Sequence, residues 1–252
     1  MLGVMVRMSL AVTAALSLWF TVPAQAAEPV DLALVLAVDS STSVDFDEFN
    51  LQMSGIADAF RDGAVLNAIK AAAPNGIAVT LVQWSNPDRQ ALAFGWTKVR
   101  DAASAEAIAR MIDLTPRLVT SGGTAISDAI DFSIRLLDGV AATRRVIDVS
   151  GDGHDNLRGY SITATSRAVA AGITVNGLAI LNEDPKLDRY YLVHVIGGAD
   201  AFVLVADDYE DFSRAIRLKL ITEISGAPVA LLPAPAKFAR FDPGGPLSRV
   251  KN

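Results

Sequence analysis

Asp31 to Val38 (DLALVLAV) is an almost unbroken run of apolar residues. A strand with that pattern is buried on both faces, as in a parallel sheet. Ile77 to Trp84, Ile173 to Ile180 and Ala201 to Val205 read as further strands, and Arg144 to Val149 as a buried one. Gln90 to Trp96 reads as a shorter strand after the turn Ser85-Asn86-Pro87-Asp88, which makes it an antiparallel partner at a sheet edge. Phe46, Phe49, Met53, Ile56, Ala57 and Phe60 recur at helical spacing and predict a helix over Asp47 to Phe60. Asp45, Asp47 and Glu48 favour its N-terminus through the helix dipole. Further helices are predicted over Ala64 to Ala73, Asp101 to Ile112, Ala125 to Leu137 and Ser161 to Ala171. Pro74-Asn75-Gly76 ends the first of these and Gly172 closes the last. A short helix over Pro185 to Val193 and an amphipathic one over Asp207 to Ile224 complete the set. Strands alternating with helices predict an α/β fold: a doubly wound, mostly parallel sheet with one antiparallel edge strand and helices on both faces.

The two ends of the chain break this rhythm. Arg7 is the only charge before a short apolar run, Ser9 to Phe20, and Pro23 precedes Ala24-Gln25-Ala26. That is the layout of a secretory signal peptide over residues 1–26, and the run is too short to span about 30 Å of hydrocarbon as an anchor. No later segment is apolar and long enough to span a membrane. The segment 225–252 is rich in Pro, Gly and Ala and lacks periodicity, so it reads as a disordered tail, with a docking segment as the alternative. Removing residues 1–26 takes away Arg7 and no acid, leaving 21 basic against 28 acidic side chains, a net charge of −7. A basic stripe is absent, which argues against nucleic acid as a partner. With no cysteine in the chain, disulfides, thiol chemistry and a lipid-modified cysteine are excluded.

Candidate chemistry gathers where strands end. Asp39-Ser40-Ser41-Thr42-Ser43 follows the first strand and sets oxygen side chains at alternate positions, Asp39, Ser41 and Ser43. A hard cation such as Mg²⁺ takes oxygen ligands and keeps several waters. The same residues suit helix capping, Ser43 in particular. Gly122-Gly123-Thr124 enters a helix, and Asp152-Gly153 follows the strand Arg144 to Val149, with Gly151 permitting a tight turn. In a doubly wound sheet the ligand crevice lies beyond the carboxyl ends of the strands where the winding reverses. If the first and the Arg144 strands are neighbours, Asp39 and Asp152 face one crevice, with Thr124 on a third loop.

These five side chains, in this order, resemble the metal-ion-dependent adhesion site of von Willebrand factor A domains. The resemblance covers residues 30–224. The flanks Val82-Gln83-Trp84-Ser85, Phe94-Gly95-Trp96-Thr97, Arg145 to Gly153, Tyr190 to Phe202 and Lys219 to Ile224 are similar to an exported bacterial subfamily of unknown function, of the DUF1194 type. The resemblance implies that Ser41, Ser43 and at times Thr124 bind a divalent cation directly, Mg²⁺ foremost and Mn²⁺ or Ca²⁺ as alternatives. It implies that Asp39 and Asp152 act mainly through waters. Where the family often has Gly, this chain has Thr42, and a small change in loop stiffness is expected. The implied function is a metal-dependent protein-binding module of the cell envelope, not an enzyme. Its partner would be a protein presenting an Asp or Glu to the ion, met in the periplasm or outside the cell.

The alternatives are a Mg²⁺-dependent hydrolase and a structural domain with a vestigial site. For the first, no second carboxylate follows Asp39 by two residues and no Gly-x-Ser-x-Gly elbow is present. His154, Asp155 and Asn156 read as a solvated loop beside the acids. His194 reads as a packed or capping residue, Trp84 and Trp96 as packing, and Asp58, Arg61 and Asp62 as a solvated helix end. Gly197-Gly198 is a turn and not a phosphate loop. The first expectation concerns export: sequencing the N-terminus of the exported protein should find Ala27 first, and finding Met1 or Met5 there would refute the signal-peptide reading.

Overall fold

The computed structural model describes residues 29–157, 160–226 and 238–240. The expected signal peptide and most of the expected tail lie outside these. The sheet is built from β1 (Val30–Asp39), β2 (Ile77–Trp84), β3 (Gln90–Val99), β4 (Ala142–Gly151), β5 (Thr174–Ile180), β6 (Phe202–Ala206) and β7 (Phe238–Arg240). Its seven strands run in the order β3-β2-β1-β4-β5-β6-β7. All neighbours are parallel except β2 with β3 and β6 with β7. The antiparallel edge strand expected from Gln90 is therefore present. A second antiparallel strand caps the other edge, so the tail is not without structure over Phe238–Arg240.

The helices are α1 (Phe46–Arg61), α2 (Gly63–Ala72), α3 (Ala102–Asp113), α4 (Ile126–Leu137), α5 (Ser161–Ala170), α6 (Leu187–Tyr190) and α7 (Phe212–Ser225). A wide, π-type turn, Tyr191–Val195, continues α6. Alternation along β1 creates two cores at once. Leu32, Leu34, Leu36 and Val38 pack with α1, α2, α3 and α7 on one face. Ala33, Val35 and Ala37 pack with α4, α5 and the π-type turn on the other. A strand covered on both faces has no polar side, which is why DLALVLAV is nearly all apolar.

The helix starts are written in the sequence. Asp45 and Glu48 form a reciprocal capping box on α1, with both backbone-to-carboxylate bonds at 2.8 Å. Phe46, read as part of the buried stripe, is instead 67% exposed. It is the first residue of α1, and side chains there lean toward the N-terminus, past the end of the core. Arg61, read as solvated, holds Glu106 at 3.1 Å as well as Asp113, tying α1 to α3. α7 begins at Phe212, later than expected, and the residues before it carry the buried Tyr209.

One polar group is sealed inside the first core. Lys219 of α7 lies 2.8 Å from Asp148 of β4 and 2.6 Å from Glu223, and all three are buried. Asn176 of β5 donates to Glu223 at 2.9 Å. Burial pushes the Asp148 carboxyl up to about 7, against the opposing pull of Lys219. The folded pKa thus lies above the ordinary 3.8, so the fold holds the proton more tightly than the unfolded chain does. The stability this supplies is full below about pH 4 and is lost as pH rises through 7. Asp148→Asn removes the titration. Its stability relative to wild type should rise between pH 4.5 and pH 7.5 in urea unfolding, by up to about 1.4 kcal/mol per pH unit. A pH-independent difference would mean that Asp148 is ionised in the fold at both values.

Candidate metal centre

β1 is the strand from which the winding departs in both directions: β2 lies on one side and β4 on the other. Val38 pairs with Ser150, so the carboxyl ends of β1 and β4 abut, and Asp39 and Asp152 leave them side by side. The crevice expected beyond a reversal of winding is therefore where these acids stand. Asp39 is not on a loop outside the core. It is the last residue of β1 and is fully buried.

A chain of bonds joins four of the five expected residues. Ser41 N–H donates to Asp39 Oδ1 at 2.7 Å, the hydroxyls of Ser41 and Ser43 lie 3.1 Å apart, and Ser43 donates to Asp152 Oδ1 at 2.9 Å. Ser43 thus spends its hydroxyl across the crevice, and the cap of α1 is Asp45. Thr124 reaches the group through the Asp152 loop. Its N–H donates to Asn156 Oδ1 at 2.9 Å, and its Oγ1 stands beside Gly153.

Electrostatics mark the crevice as short of positive charge. Asp39 Oδ2 is buried and has no hydrogen-bond partner among the described residues. Burial, then the neighbouring Asp152, pushes the Asp39 carboxyl up to about 7. Burial also raises Asp152, although Ser43 and the Tyr209 hydroxyl, at 3.1 Å from Oδ2, pull it down. A cation between the two would relieve all of this at once. Among the described residues no three His, Cys, Asp or Glu side chains converge. The donors here are hydroxyls and two carboxylates, which suit a hard, oxygen-seeking ion. The residues present therefore fit the implied divalent cation.

Several residues that hold the site were not foreseen. Arg117, between α3 and α4, donates to the carbonyls of Ser40 at 3.2 Å, Ser41 at 3.0 Å, Val44 at 2.8 Å and Asp45 at 3.1 Å. One guanidinium thereby fixes the whole turn that carries Ser41 and Ser43. The available signal was that Arg117 is the sole charge between Leu114 and Ala125. Thr42 does more than stiffen its loop. Its N–H donates to Gly122 O and its Oγ1 accepts from Gly122 N–H, both at 2.9 Å, which latches the serine loop to the Thr124 loop. Gly122 has φ +133° and a side chain there would meet Ser85 and Asn86, so the latch needs glycine. Tyr191 is fully buried, and its hydroxyl faces Gly151.

The remaining candidates have structural roles. Asp155 accepts from Ser127 N–H at 2.8 Å and so caps the start of α4. His154 lies 2.8 Å from Asp184 and stacks on Tyr190, with ring centres 4.1 Å apart. His194 is exposed rather than packed, and leans on the same tyrosine. Trp84 is buried in the second core, and Trp96 donates to Leu136 O at 3.2 Å.

Gly151 is needed for space, not for a turn. It is the last residue of β4, and a Cβ there would stand 2.7 Å from Asp39 Oδ2 and 3.0 Å from the Tyr191 hydroxyl. Gly151→Ala should destabilise the fold by about 1–3 kcal/mol, the usual range for overpacking. Adding Asp39→Ala should recover part of that loss, because the oxygen in the way is gone. A double-mutant cycle in urea checks this, and strict additivity would place the strain elsewhere.

Among the described residues no helix is long and apolar enough to cross a membrane. A family model described as a protein of unknown function (DUF1194) matches residues 29–228. No curated protein matches the chain. Solved structures do. A von Willebrand factor type A protein from Catenulispora acidiphila is 15% identical with a TM-score of 0.55, over 77% of this chain and 43% of that one. Proximal thread matrix protein 1 from the mussel byssus, solved with a zinc-occupied MIDAS motif, is 18% identical with a TM-score of 0.54, over 76% and 45%. The pilus adhesin SpaC from Lactobacillus rhamnosus GG is 15% identical with a TM-score of 0.56, over 78% and 31%. This chain thus spans less than half the length of each. The chain belongs to the DUF1194 family of proteins of unknown function, and its fold is that of a von Willebrand factor A domain.

Proposed function

We propose that this protein is a metal-dependent protein-binding module of the cell envelope, exported by residues 1–26 and acting in the periplasm or outside the cell. The observation that carries the reading is the bonded series Asp39, Ser41, Ser43, Asp152, with the buried Asp39 Oδ2 at one end left without a hydrogen-bond partner among the described residues. Ser41, Ser43 and Thr124 would hold a divalent cation, most suitably Mg²⁺, with Mn²⁺ or Ca²⁺ as substitutes. Asp39 and Asp152 would hold its waters. Bound there, the ion would supply a positive, open position that a carboxylate can fill. Neutral hydroxyl ligands leave it that charge. The partner is then a protein that presents an Asp or Glu. The likeness to a pilus adhesin and to a matrix protein with zinc in its MIDAS motif supports this reading. So does the net charge of −6, because an acidic protein needs a local cation to attract an anionic group.

Mg²⁺ or Mn²⁺ should raise the melting temperature of the wild type. At about 100 times the dissociation constant the gain is roughly 2.7 kcal/mol, if only the folded state binds. Asp39→Asn keeps the shape of this buried side chain and should abolish the gain, as should Asp39→Ala; an equal response in wild type and both variants would refute the site. For the partner, proteins captured from an envelope extract should be lost on adding chelator. Thr124→Ala should weaken capture more than it weakens metal binding. A partner retained at full strength under both conditions would bind elsewhere.

A further inference from the structure

A groove of about 920 Å³ lies between α5, the π-type turn and the loop before β6. Its walls are Ile162 and Val169 of α5, Leu192 and Val193 of the π-type turn, and Ile196 and Ala201 of the loop leading to β6. Ile162, Val169 and Val193 are each 41–49% exposed. Three large apolar side chains converging on one open groove form the kind of surface that a soluble domain covers.

The sheet register names what lies next to it. β7 runs antiparallel to β6, and its last pair is Phe202 with Arg240. A chain leaving Arg240 therefore travels past Phe202 toward Ala201, a wall of the groove. The sequence that follows is Phe241-Asp242-Pro243-Gly244-Gly245-Pro246-Leu247-Ser248-Arg249-Val250-Lys251-Asn252. Pro243 and Pro246 have no N–H to donate, so they would not extend a ladder along the sheet edge. Phe241, Leu247 and Val250 supply apolar groups, and Arg249 and Lys251 supply positive charge. Asp200 lines the same groove. Twelve residues reach up to about 40 Å when extended, while the ten residues of α5 span about 15 Å.

We propose that the segment Phe241–Asn252 of the same chain seats in the groove between α5, the π-type turn and the loop before β6, as an intramolecular strap held by its apolar side chains. The strap would shield the groove, and β7 would be its anchor on the sheet.

The test compares the full chain with one stopped after Arg240, using the hydrophobic dye anilinonaphthalene sulfonate as probe. Uncovering the groove should raise dye fluorescence roughly threefold or more. Val169→Asp in the shortened chain should remove that rise. In the full chain the dye signal per molecule should not change on dilution. Equal fluorescence in the two chains would overturn the proposal. A rise that survives Val169→Asp would overturn it too, because it would report general loosening. A full-chain signal that grows on dilution would assign the groove to a second copy of the chain.

Discussion

Two carboxylates, Asp39 and Asp152, stand buried at the abutting ends of β1 and β4, and their mutual repulsion is the constraint around which the site is built. Burial disfavours each charge, and Asp152 further disfavours that of Asp39. Several neighbouring donors supply partial positive charge to their oxygens. Ser41 N–H serves Asp39, and the hydroxyls of Ser43 and Tyr209 serve Asp152. What these donors leave unserved is Asp39 Oδ2. The position cannot move, because β1 is covered on both faces and Gly151 already lets that oxygen approach closer than a side chain would allow.

The loops around the pair are held by bonds that cross between them, besides the burial of Val44, Val119 and Ala125. Arg117 gathers four carbonyls of the turn after β1, and Thr42 and Gly122 bond one another in both directions. Gln83 of β2 continues the pattern, accepting from Leu118 N–H at 2.6 Å and donating to Pro116 O at 2.9 Å. A site made of hydroxyls needs such support. Ser and Thr side chains are short, so their oxygen positions follow the backbone almost rigidly, and the backbone must be fixed first.

The sheet and its helices were legible because their signals are local. Continuous apolar runs mark doubly covered strands, and Asp45 with Glu48 marks a helix start. That Asp39, Ser41, Ser43 and Asp152 come together, with Thr124 beside Gly153, was legible because the loops that carry them leave strands and helices already placed. Arg117 and Thr42 were not, because their roles depend on contacts across about 80 positions of sequence and on no local pattern. The role of Gly151 was misread for a related reason. A glycine in a turn and one that makes room for a distant oxygen look alike in sequence, and only the packing of Asp39 separates them. Phe238–Arg240 went unseen because a three-residue strand in a Pro-rich segment has no period to detect.

β4 carries another buried acid, Asp148, four residues before Asp152, and comparing it with Asp39 and Asp152 separates a carboxylate paired with a lysine from a pair that is not. Asp148 comes with its own cation: Lys219 stands 2.8 Å away and is itself fully buried between Asp148 and Glu223. Taking a lysine and its partners out of water is expensive, and here the opposite charges lie within 2.8 Å of one another, although Asp148 Oδ2 and Glu223 Oε2 have no hydrogen-bond partner among the described residues. Beside Asp39, Arg117 supplies positive charge and lowers its pKa, but its N–H groups are directed to backbone carbonyls. The chain thus pairs one buried acid with a lysine and leaves the neighbouring pair with hydroxyls, in a crevice where the winding reverses. Hydroxyls can surround a cation as readily as they can cap a carboxylate, whereas an ammonium group would compete with it. On the proposed function, an ion from solution would take at Asp39 the part that Lys219 takes at Asp148.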